Sequence, residues 1–482
     1  MRVFASRPHI RGAVGATSAH NLARTARRGP SMRTISCLFA LIMVAAVGAT
    51  PRADIAITNV SLLDGSGGLA QPGMTVVVGG DRVTAVGPTV TVNVPRAAQR
   101  IDGTGKFLMP GLMDMHIHLV GAGQWRGLSN PPGVEIDRDA ARSALHSYLY
   151  FGVTSVYDAG NNPDLILDLR AKERAGALVS PRIFATGHAI SYPGSWMAGS
   201  FHGVGAPDWP DTIKLLDAQV SAGPDVQKLV LERFGLGPNP LAPHLPVDLM
   251  GKIIDYMRAK GIRTTIHATT ESLARDALDA GIDSFAHPVA TGRMSDAYVK
   301  LLAERQIPVA TTLSVYDEII RLGEDPSYLD DEMFTDVLSA EEIAARKEQG
   351  PARFASLGWT SWFKALNPYL RENVKKLHDA GGVVVLATDR SEGPMIHREL
   401  ELLAEIGIPP ADIVRIGTLN GAKYLGREAD LGTIAPGKLA DLLLLDADPT
   451  ADVRNARRIN TVIKGGQVID RSKLDLPVNA RR

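Results

Sequence analysis

The sequence predicts an α/β fold, a (β/α)8 barrel with a small β-sandwich domain formed from both ends of the chain. Two observations predict it. Eight short apolar runs alternate with helical stretches through the middle of the 482 residues, an order typical of βαβ units and a parallel sheet. Short strand-like runs broken by Gly, Asp and Pro stand at both ends, where they indicate hairpins. The length allows both parts, since a barrel needs about 250 residues.

The strand-like runs at the two ends are expected to pair with each other. They cover residues 55–60, 75–78, 82–87, 440–446 and 461–469. We predict that residues 54–108 and 427–475 form one composite β-sandwich. The barrel, residues 109–426, is then inserted between its halves.

Eight apolar runs in a single segment favour a closed barrel over an open sheet. The eight candidate strands are 109–118, 154–160, 181–188, 226–234, 263–269, 284–289, 307–313 and 383–390. The seventh crossover, 314–382, is much longer than the others. We expect it to carry extra helices that cover the mouth of the barrel.

Residues 1–53 are predicted to be an export segment. The first 34 residues are rich in Arg and contain no acidic residue, and an apolar run over 35–49 follows. The run is shorter than the roughly 20 residues needed to span a bilayer and has the length of a signal-peptide core. We therefore expect cleavage and a periplasmic or secreted protein, with Met32 as a possible true start. The alternative is an uncleaved anchor.

Composition narrows the function classes. The single cysteine, Cys37, lies in the export segment, so the mature protein has neither disulfides nor thiol chemistry. The 52 basic residues equal the 52 acidic ones, which gives a nucleic-acid surface no support. We expect a small-molecule substrate, no nucleic acid and no membrane beyond the export signal. A homo-oligomer is compatible with the sequence but not predicted by it.

Ionisable side chains stand where the predicted strands end. His116 and His118 alternate on the first strand, so they project to the same side. His267, His287 and Asp389 end the fifth, sixth and eighth strands. Active sites of barrels form at this end, and four histidines with one aspartate suit zinc. The sequence therefore predicts a metal site.

Each of these residues alone has a plainer interpretation. A His-x-His pair is common, and a lone His267 or His287 is more often a hydrogen-bonded core histidine. Asp389 alone would serve as a helix cap. The metal site depends on four of the chain's twelve histidines falling at strand ends of one barrel.

Two motifs resemble a known family. The run MPGLMDMHIHL at residues 109–119 looks like the first-strand signature of the amidohydrolase superfamily, and LGTIAPGKLADL at 431–442 resembles its C-terminal hallmark. The nearest branch is the imidazolonepropionase-like amidohydrolases, with the metal-dependent prolidase and carboxypeptidase group. The resemblance covers residues 54–472.

The resemblance implies two divalent metal ions, of which zinc is expected, and a role for each ligand. It places His116 and His118 on the more buried metal, His267 and His287 on the second, and Asp389 on the first as ligand and general base. It implies a hydrolase in which metal-activated hydroxide attacks an amide or peptide C–N bond.

Lys228 on the fourth strand resembles the family's bridging lysine. The resemblance implies that its amine reacts with carbon dioxide, and that the resulting carbamate bridges both metals. Burial beside cations favours the neutral amine that this reaction needs. A surface lysine at a strand start, or a bridge through Glu232, is the alternative.

Substrate contacts are expected from the loops. His188, Tyr192 and His202 lie in the loop after the third strand, and Arg390 follows Asp389. Arg390 would bind a substrate carboxylate, or else pair with Glu392. The alternative for His188 and His202 is that they are ordinary loop histidines. The aromatic residues of the seventh crossover would form a lid or would simply pack between helices.

The leading hypothesis is thus a binuclear amidohydrolase, with dipeptides or N-acyl amino acids as the first substrates to consider. A mononuclear cyclic amide or imidazolone hydrolase is the second hypothesis, since such relatives lack the bridging lysine. A non-catalytic binding protein on the same fold is the third.

Overall fold

The computed structural model describes residues 54–119, 137–200, 202–234, 237–238 and 241–476. The export segment predicted over residues 1–53 lies outside them. Within this range, every helix is too short or too polar to cross a bilayer.

The strands fall into two groups, one from the ends of the chain and one from its middle. In chain order they are β1 (Ile55–Leu62), β2 (Gln71–Gly79), β3 (Arg82–Pro88), β4 (Gln99–Asp102), β5 (Phe107–Pro110), β6 (Leu112–Ile117), β7 (Val153–Asp158), β8 (Arg182–Ala185), β9 (Ala189–Ser191), β10 (Gly203–Gly205), β11 (Val226–Val230), β12 (Arg263–His267), β13 (Ser284–Phe285), β14 (Val309–Ala310), β15 (Val384–Val385), β16 (Leu442–Leu445), β17 (Ile459–Lys464) and β18 (Gln467–Ile469).

Helices follow most of the central strands. They are α1 (Arg138–Tyr150), α2 (Pro163–Arg174), α3 (Thr212–Ala222), α4 (Val247–Ala259), α5 (Glu271–Asp279), α6 (Asp296–Glu304), α7 (Leu313–Glu324), α8 (Glu332–Thr335), α9 (Ala340–Ser356), α10 (Trp359–Asp379), α11 (Pro394–Glu405), α12 (Pro410–Ile416) and α13 (Leu419–Leu425). Short 3-10 helices occupy Pro326–Asp330, Val453–Arg457 and Arg471–Lys473. The extra helices predicted for the seventh crossover are confirmed, because α7 to α10 lie there.

The two ends of the chain meet in one sheet of order β18-β17-β16-β5-β1-β2-β3, with β4 beside β1. Its central pair, β5 and β16, is antiparallel, with Pro110 opposite Leu442. Ile57, Val76 and Leu444 from three of its strands meet in one buried apolar cluster. Burial of this apolar face holds the first and last parts of the chain together.

The first predicted barrel strand is wrong at its start. The sequence places one strand over 109–118, whereas the chain ends β5 at Pro110 and begins β6 at Leu112. A Cβ at Gly111 would lie 2.0 Å from the Oγ1 of Thr154. Only a residue without a side chain fits there, so the chain passes from one sheet to the other at Gly111.

The central strands run parallel. Hydrogen bonds group them as β6-β7-β8 and as β10-β9-β11-β12-β13-β14-β15. Each of the eight predicted segments overlaps a strand, so the eight strands are confirmed. The three-residue strands β9 and β10 were not predicted, because they lie inside what the sequence shows as a loop.

Backbone hydrogen bonds also join the two groups of central strands. The N–H of Met115 donates to the Leu386 carbonyl at 3.1 Å, which sets β6 beside the segment after β15. The N–H of Asp225 donates to the Ala185 carbonyl at 2.9 Å, next to β8 and β11. The carboxyl ends of the parallel strands therefore lie at one rim, where loop residues form a site.

Candidate metal centre

His116 and His118 lie near the carboxyl end of β6, on the same side of the strand. Their Nε2 atoms are 3.3 Å apart. The Nδ1 of His116 lies 2.9 Å from the Ala286 carbonyl oxygen, and that of His118 lies 2.8 Å from the Gly160 carbonyl oxygen. A carbonyl accepts only from an N–H, so the Nδ1 atoms carry the protons and the Nε2 atoms present lone pairs. Both imidazoles are oriented to bind a cation through Nε2.

Asp389 faces these two histidines from the segment after β15. Its backbone N–H donates to the His116 carbonyl at 2.7 Å. Its Oδ1 lies 3.6 Å from the Nε2 of His116 and 3.5 Å from that of His118. Within the described part of the chain this buried oxygen has no hydrogen-bond partner. Burial raises the pKa of Asp389 to about 6, against the opposing charge of Lys228.

The backbone at Asp389 is held in an uncommon conformation. Its φ is 55°, in the left-handed region, and φ at Thr312 is 45°. Such conformations in residues other than glycine cost free energy and cluster at functional sites. Asp389, which has this conformation, is also the residue whose Oδ1 lies close to His116 and His118.

His267 and His287 complete the ring of histidines. Their ring centroids are 4.5 Å apart, and His287 lies 4.6 Å from His116. The Nδ1 of His287 lies 2.9 Å from the Oγ1 of Thr312. Ligand atoms of His116, His287 and Asp389 all lie within 4.8 Å of one another, and all three residues are buried.

Lys228 lies on β11 and reaches the same cluster. Its side chain is only 2% exposed, and its Nζ is 3.5 Å from the Nε2 of His116. Burial lowers the pKa of Lys228 to about 7, while the charge of Asp389 acts in the opposite direction. A buried amine with this pKa is neutral in a large fraction of molecules near pH 7.

Glu232 is a further residue of the site. Its Oε2 lies 3.6 Å from the Nε2 of His267 and accepts the hydroxyl of Thr269 at 2.5 Å. Its Oε1 accepts the backbone N–H groups of Arg233 and Phe234. Burial acts to raise the pKa of Glu232, but the proximity of His267 and the hydrogen bond from Thr269 lower that pKa to about 2. The sequence suggested Glu232 as an alternative bridge; here its carboxylate lies beside His267.

The donor set fits divalent cations. Four imidazoles, a carboxylate and an amine converge, and Asp389 Oδ1 and His267 Nε2 are buried without a hydrogen bond among the described residues. Buried polar atoms are normally paired, so a ligand of opposite character is expected between them. Nitrogen and oxygen donors of this kind suit zinc and similar ions.

The predicted substrate residues lie at different distances from this centre. The ring of His202 is 5.1 Å from that of His118, and its Nδ1 lies 2.9 Å from the same Gly160 carbonyl. His188 is partly buried, with Asp164 as its charged neighbour. Tyr192 packs, partly buried, against the apolar core.

Arg390 pairs with Glu318 of α7. Glu392, the partner suggested by the sequence, instead binds Arg346, with Nη1 to Oε1 at 2.6 Å. The Arg390 side chain is 5% exposed. Its guanidinium is therefore engaged inside the protein.

A pocket opens directly above His267, His287 and Asp389. Its other described lining residues come from loops after the strands and from α7 and α10: Phe234, Gly237, Thr269, Thr291, Val315, Tyr316, Trp362, Phe363 and Leu366. The crossover aromatic residues Trp362 and Phe363 are thus part of the mouth. Trp359 packs beneath them, 6.1 Å from Phe363 between ring centroids.

The fold and this centre define a metal-dependent hydrolase. The amidohydrolase family matches residues 107–469, and the chain belongs to that family. Its relatives place it in the imidazolonepropionase-like branch that the motifs indicated. The protein is therefore a metal-dependent amidohydrolase that acts on carbon–nitrogen bonds.

Individual relatives share most of the chain at low identity. An imidazolonepropionase of Chloroflexus aggregans is 27% identical over 430 residues, 82% of this chain and 90% of that protein. A solved Xaa-Pro dipeptidase superposes with a TM-score of 0.65 at 21% identity, covering 86% and 100% of the two chains. Molinate hydrolase superposes with a TM-score of 0.70 at 23% identity, covering 89% and 97%. These likenesses indicate a TIM barrel with an additional domain.

Proposed function

We propose that the protein hydrolyses amide bonds with two divalent cations. The observation that carries this proposal is the position of Asp389 Oδ1, within 3.6 Å of both β6 histidines and without a hydrogen bond among the described residues. His116, His118 and Asp389 hold the first ion, and His267 and His287 hold the second. Zinc is the proposed metal, because imidazole and carboxylate donors suit it.

Lys228 is the proposed bridge. Its neutral amine attacks the carbon of carbon dioxide. An N–C bond forms, one C=O π bond breaks as its electron pair moves to oxygen, and the nitrogen loses a proton to solvent. The product is a carbamate, an anion where a lysine cation would repel the metals. Its place near His116, at 3.5 Å, and its nearly complete burial support this role.

Divalent ions at such a site lower the pKa of water and polarise a carbonyl. In this proposal Asp389 receives the proton from the attacking water and returns it to the leaving nitrogen. Glu232 holds His267 in place, and the carbonyls of Ala286 and Gly160 hold the β6 histidines. We further propose that the central strands close into a complete barrel, which fixes these residues at one rim.

The proposed substrate class is broad at this stage: amide, peptide, lactam or carbamate bonds. The sequence favoured dipeptides and N-acyl amino acids because Arg390 offered a cation for their carboxylate. The pairing of Arg390 with Glu318 removes that reason, so a carboxylate is not required by the proposal.

Metal analysis tests this function. Purified protein is stripped with a chelator, then reloaded with zinc and bicarbonate, and its metal content and amide hydrolysis are measured together. We expect about two ions per active chain and loss of both activity and metal in His116→Ala. Hydrolysis that survives complete metal removal would contradict the proposal.

A mononuclear cyclic amide hydrolase is the second candidate. It is favoured by the likeness to an imidazolonepropionase over 430 residues and by the compact group of His116, His287 and Asp389. Lys228→Met separates the two functions. Full turnover with one ion would favour the mononuclear site, whereas loss of the second ion and most activity would favour the binuclear one.

A further inference from the structure

The mouth of the metal centre is walled by aromatic side chains. We propose, resting on the amide hydrolysis proposed above, that its substrate is a neutral amide that carries an aromatic or similarly bulky apolar group. Three properties of the mouth favour such a substrate: the aromatic side chains of its wall, the direction of its threonine hydroxyl groups and the engagement of Arg390.

The wall is built from two aromatic pairs. The rings of Tyr316 and Phe363 meet edge to face, 4.5 Å apart between centroids. Phe234 and Trp362 stand 6.4 Å apart in a tilted arrangement. Tyr316 and Phe363 are buried, whereas Phe234 and Trp362 are half-buried. The second pair therefore retains exposed ring surface for contact with an aromatic group, which favours offset or edge-to-face packing.

The two threonine hydroxyl groups of the wall donate inward. Thr269 donates to the Glu232 carboxylate at 2.5 Å, and Thr291 donates to the Thr269 carbonyl at 3.2 Å. Because each hydroxyl has a single proton, these oxygens present only lone pairs to the pocket. They suit the N–H of an amide and repel a carboxylate, which has no proton to donate.

The arginine beside Asp389 is already engaged. Arg390 pairs with Glu318, which also lies 3.7 Å from Arg346. Drawing Arg390 toward a substrate anion would leave Glu318 short of a partner in the protein interior, where an unpaired charge is costly. Among the described residues that line the mouth, none is a lysine or arginine. A substrate carboxylate would lose water against this wall without gaining a lysine or arginine partner from it.

Two matched substrate pairs test the inference with the zinc-loaded, full-length protein. The first is 4-acetamidobenzamide against 4-acetamidobenzoate, with the ring on the amine side of the scissile bond. The second is N-benzoylglycinamide against N-benzoylglycine, with the ring on the acyl side. In each pair a primary amide replaces the carboxylate. Release of acetate in the first pair and of benzoate in the second reports cleavage of the shared secondary amide alone, so kcat/KM for that release compares neutral and anionic substrates. N-methylacetamide is the substrate without a ring.

We expect the neutral member of at least one pair to have a kcat/KM on the order of tenfold or more above its carboxylate. Trp362→Ala should raise KM for that substrate by roughly tenfold, because an apolar contact of about 1.4 kcal/mol corresponds to that factor. Tyr369→Ala is the matched control, since Tyr369 is on the same helix, α10, but its ring lies beside Arg293 outside the mouth. That variant should keep the parent KM.

The outcomes separate the two proposals. Equal or faster hydrolysis of the carboxylates, with zinc required, overturns the neutral-substrate inference and leaves the amidohydrolase function standing. An equal rise of KM in Trp362→Ala and Tyr369→Ala overturns the claim that the aromatic wall contacts the substrate. Zinc-loaded protein that hydrolyses none of the five amides overturns the inference together with the function on which it rests.

Discussion

The carboxylate of Asp114 accepts both polar hydrogens of Thr388, the hydroxyl at 2.6 Å and the backbone N–H at 3.0 Å. Asp114 lies on β6, two residues before His116, and Thr388 directly precedes Asp389. The pair therefore fixes the distance between ligands that come from the first and last central strands.

Removing this pair should weaken the binding of the first metal ion. Asp114→Ala leaves the Thr388 N–H without its acceptor, and we expect affinity for the first ion to fall about 10- to 100-fold, as for other residues that orient ligands. Competition with a coloured chelator measures it. Asp114→Asn, which keeps one acceptor oxygen, should have a metal affinity between those of the parent and Asp114→Ala.

Asp283 provides the matched control for Asp114. Its carboxylate accepts the N–H and the hydroxyl of Thr264 in the same manner, at 2.8 and 3.0 Å, but near the start of β12. Asp283→Ala should lower stability and leave metal affinity unchanged. Equal metal affinity in the parent and in Asp114→Ala would refute the orienting role.

Glu232 should act on the second ion alone. Glu232→Gln weakens the contact with His267 at 3.6 Å, so we expect the second site to require about 10- to 100-fold more free zinc for half occupancy. Zinc content at a series of buffered concentrations measures it. Glu271→Gln, at a carboxylate that binds Ser295 instead, is the control. An equal rise in the free zinc needed to fill the first site would show that Glu232 does not act on the second ion alone.

Stability should depend on pH through Glu399. This buried carboxyl accepts the N–H groups of Leu313 and Ser314 at the start of α7, and burial raises its pKa from 4.5 to about 7. The folded state then binds more protons than the unfolded state between these values. The contribution of Glu399 to the free energy of unfolding is therefore fully present below pH 4.5. It falls by roughly 3 kcal/mol as pH rises through 7.

Glu399→Gln tests that dependence, because glutamine does not titrate. Urea unfolding of both proteins at pH 5 and pH 8 gives the comparison. The parent should lose more unfolding free energy than the variant between the two values. Parallel losses in the two proteins would show that Glu399 does not titrate in this interval.

Two glycines should respond in opposite directions to alanine. A Cβ at Gly111 would meet Thr154 Oγ1 at 2.0 Å, whereas one at Gly251, inside α4, would meet nothing within 4 Å. Gly111→Ala should lower the free energy of unfolding by about 1–3 kcal/mol. Gly251→Ala should raise it by up to about 1 kcal/mol. Thermal unfolding of both variants measures these changes. A Gly111→Ala protein as stable as the parent would contradict the steric argument.

The strands and the convergence of the candidate ligand residues were predictable for one physical reason. Parallel strands end at one rim, so residues such as His267 and Asp389 at strand ends converge without any local signal linking them. The two-residue period of a strand also places His116 and His118 on one side. Both rules act on positions that the sequence displays directly.

Other parts of the site depend on contacts between distant segments, which a sequence does not display. Glu318 lies inside a helix of the long crossover, and nothing around it indicates that it faces Arg390. The division of the first strand was missed because the apolar run continues through Gly111, and only the neighbouring Thr154 makes glycine necessary there. Glu232 lies just past β11, where a turn directs its carboxylate to His267.

The account depends most on where cations bind. Crystals of the zinc-loaded protein, measured on either side of the zinc absorption edge, give that answer directly. We predict two anomalous peaks, one between His116, His118 and Asp389 and one beside His267 and His287, with continuous density joining Lys228 to both. Zinc found elsewhere in the protein, with these side chains unliganded, would contradict the central claim.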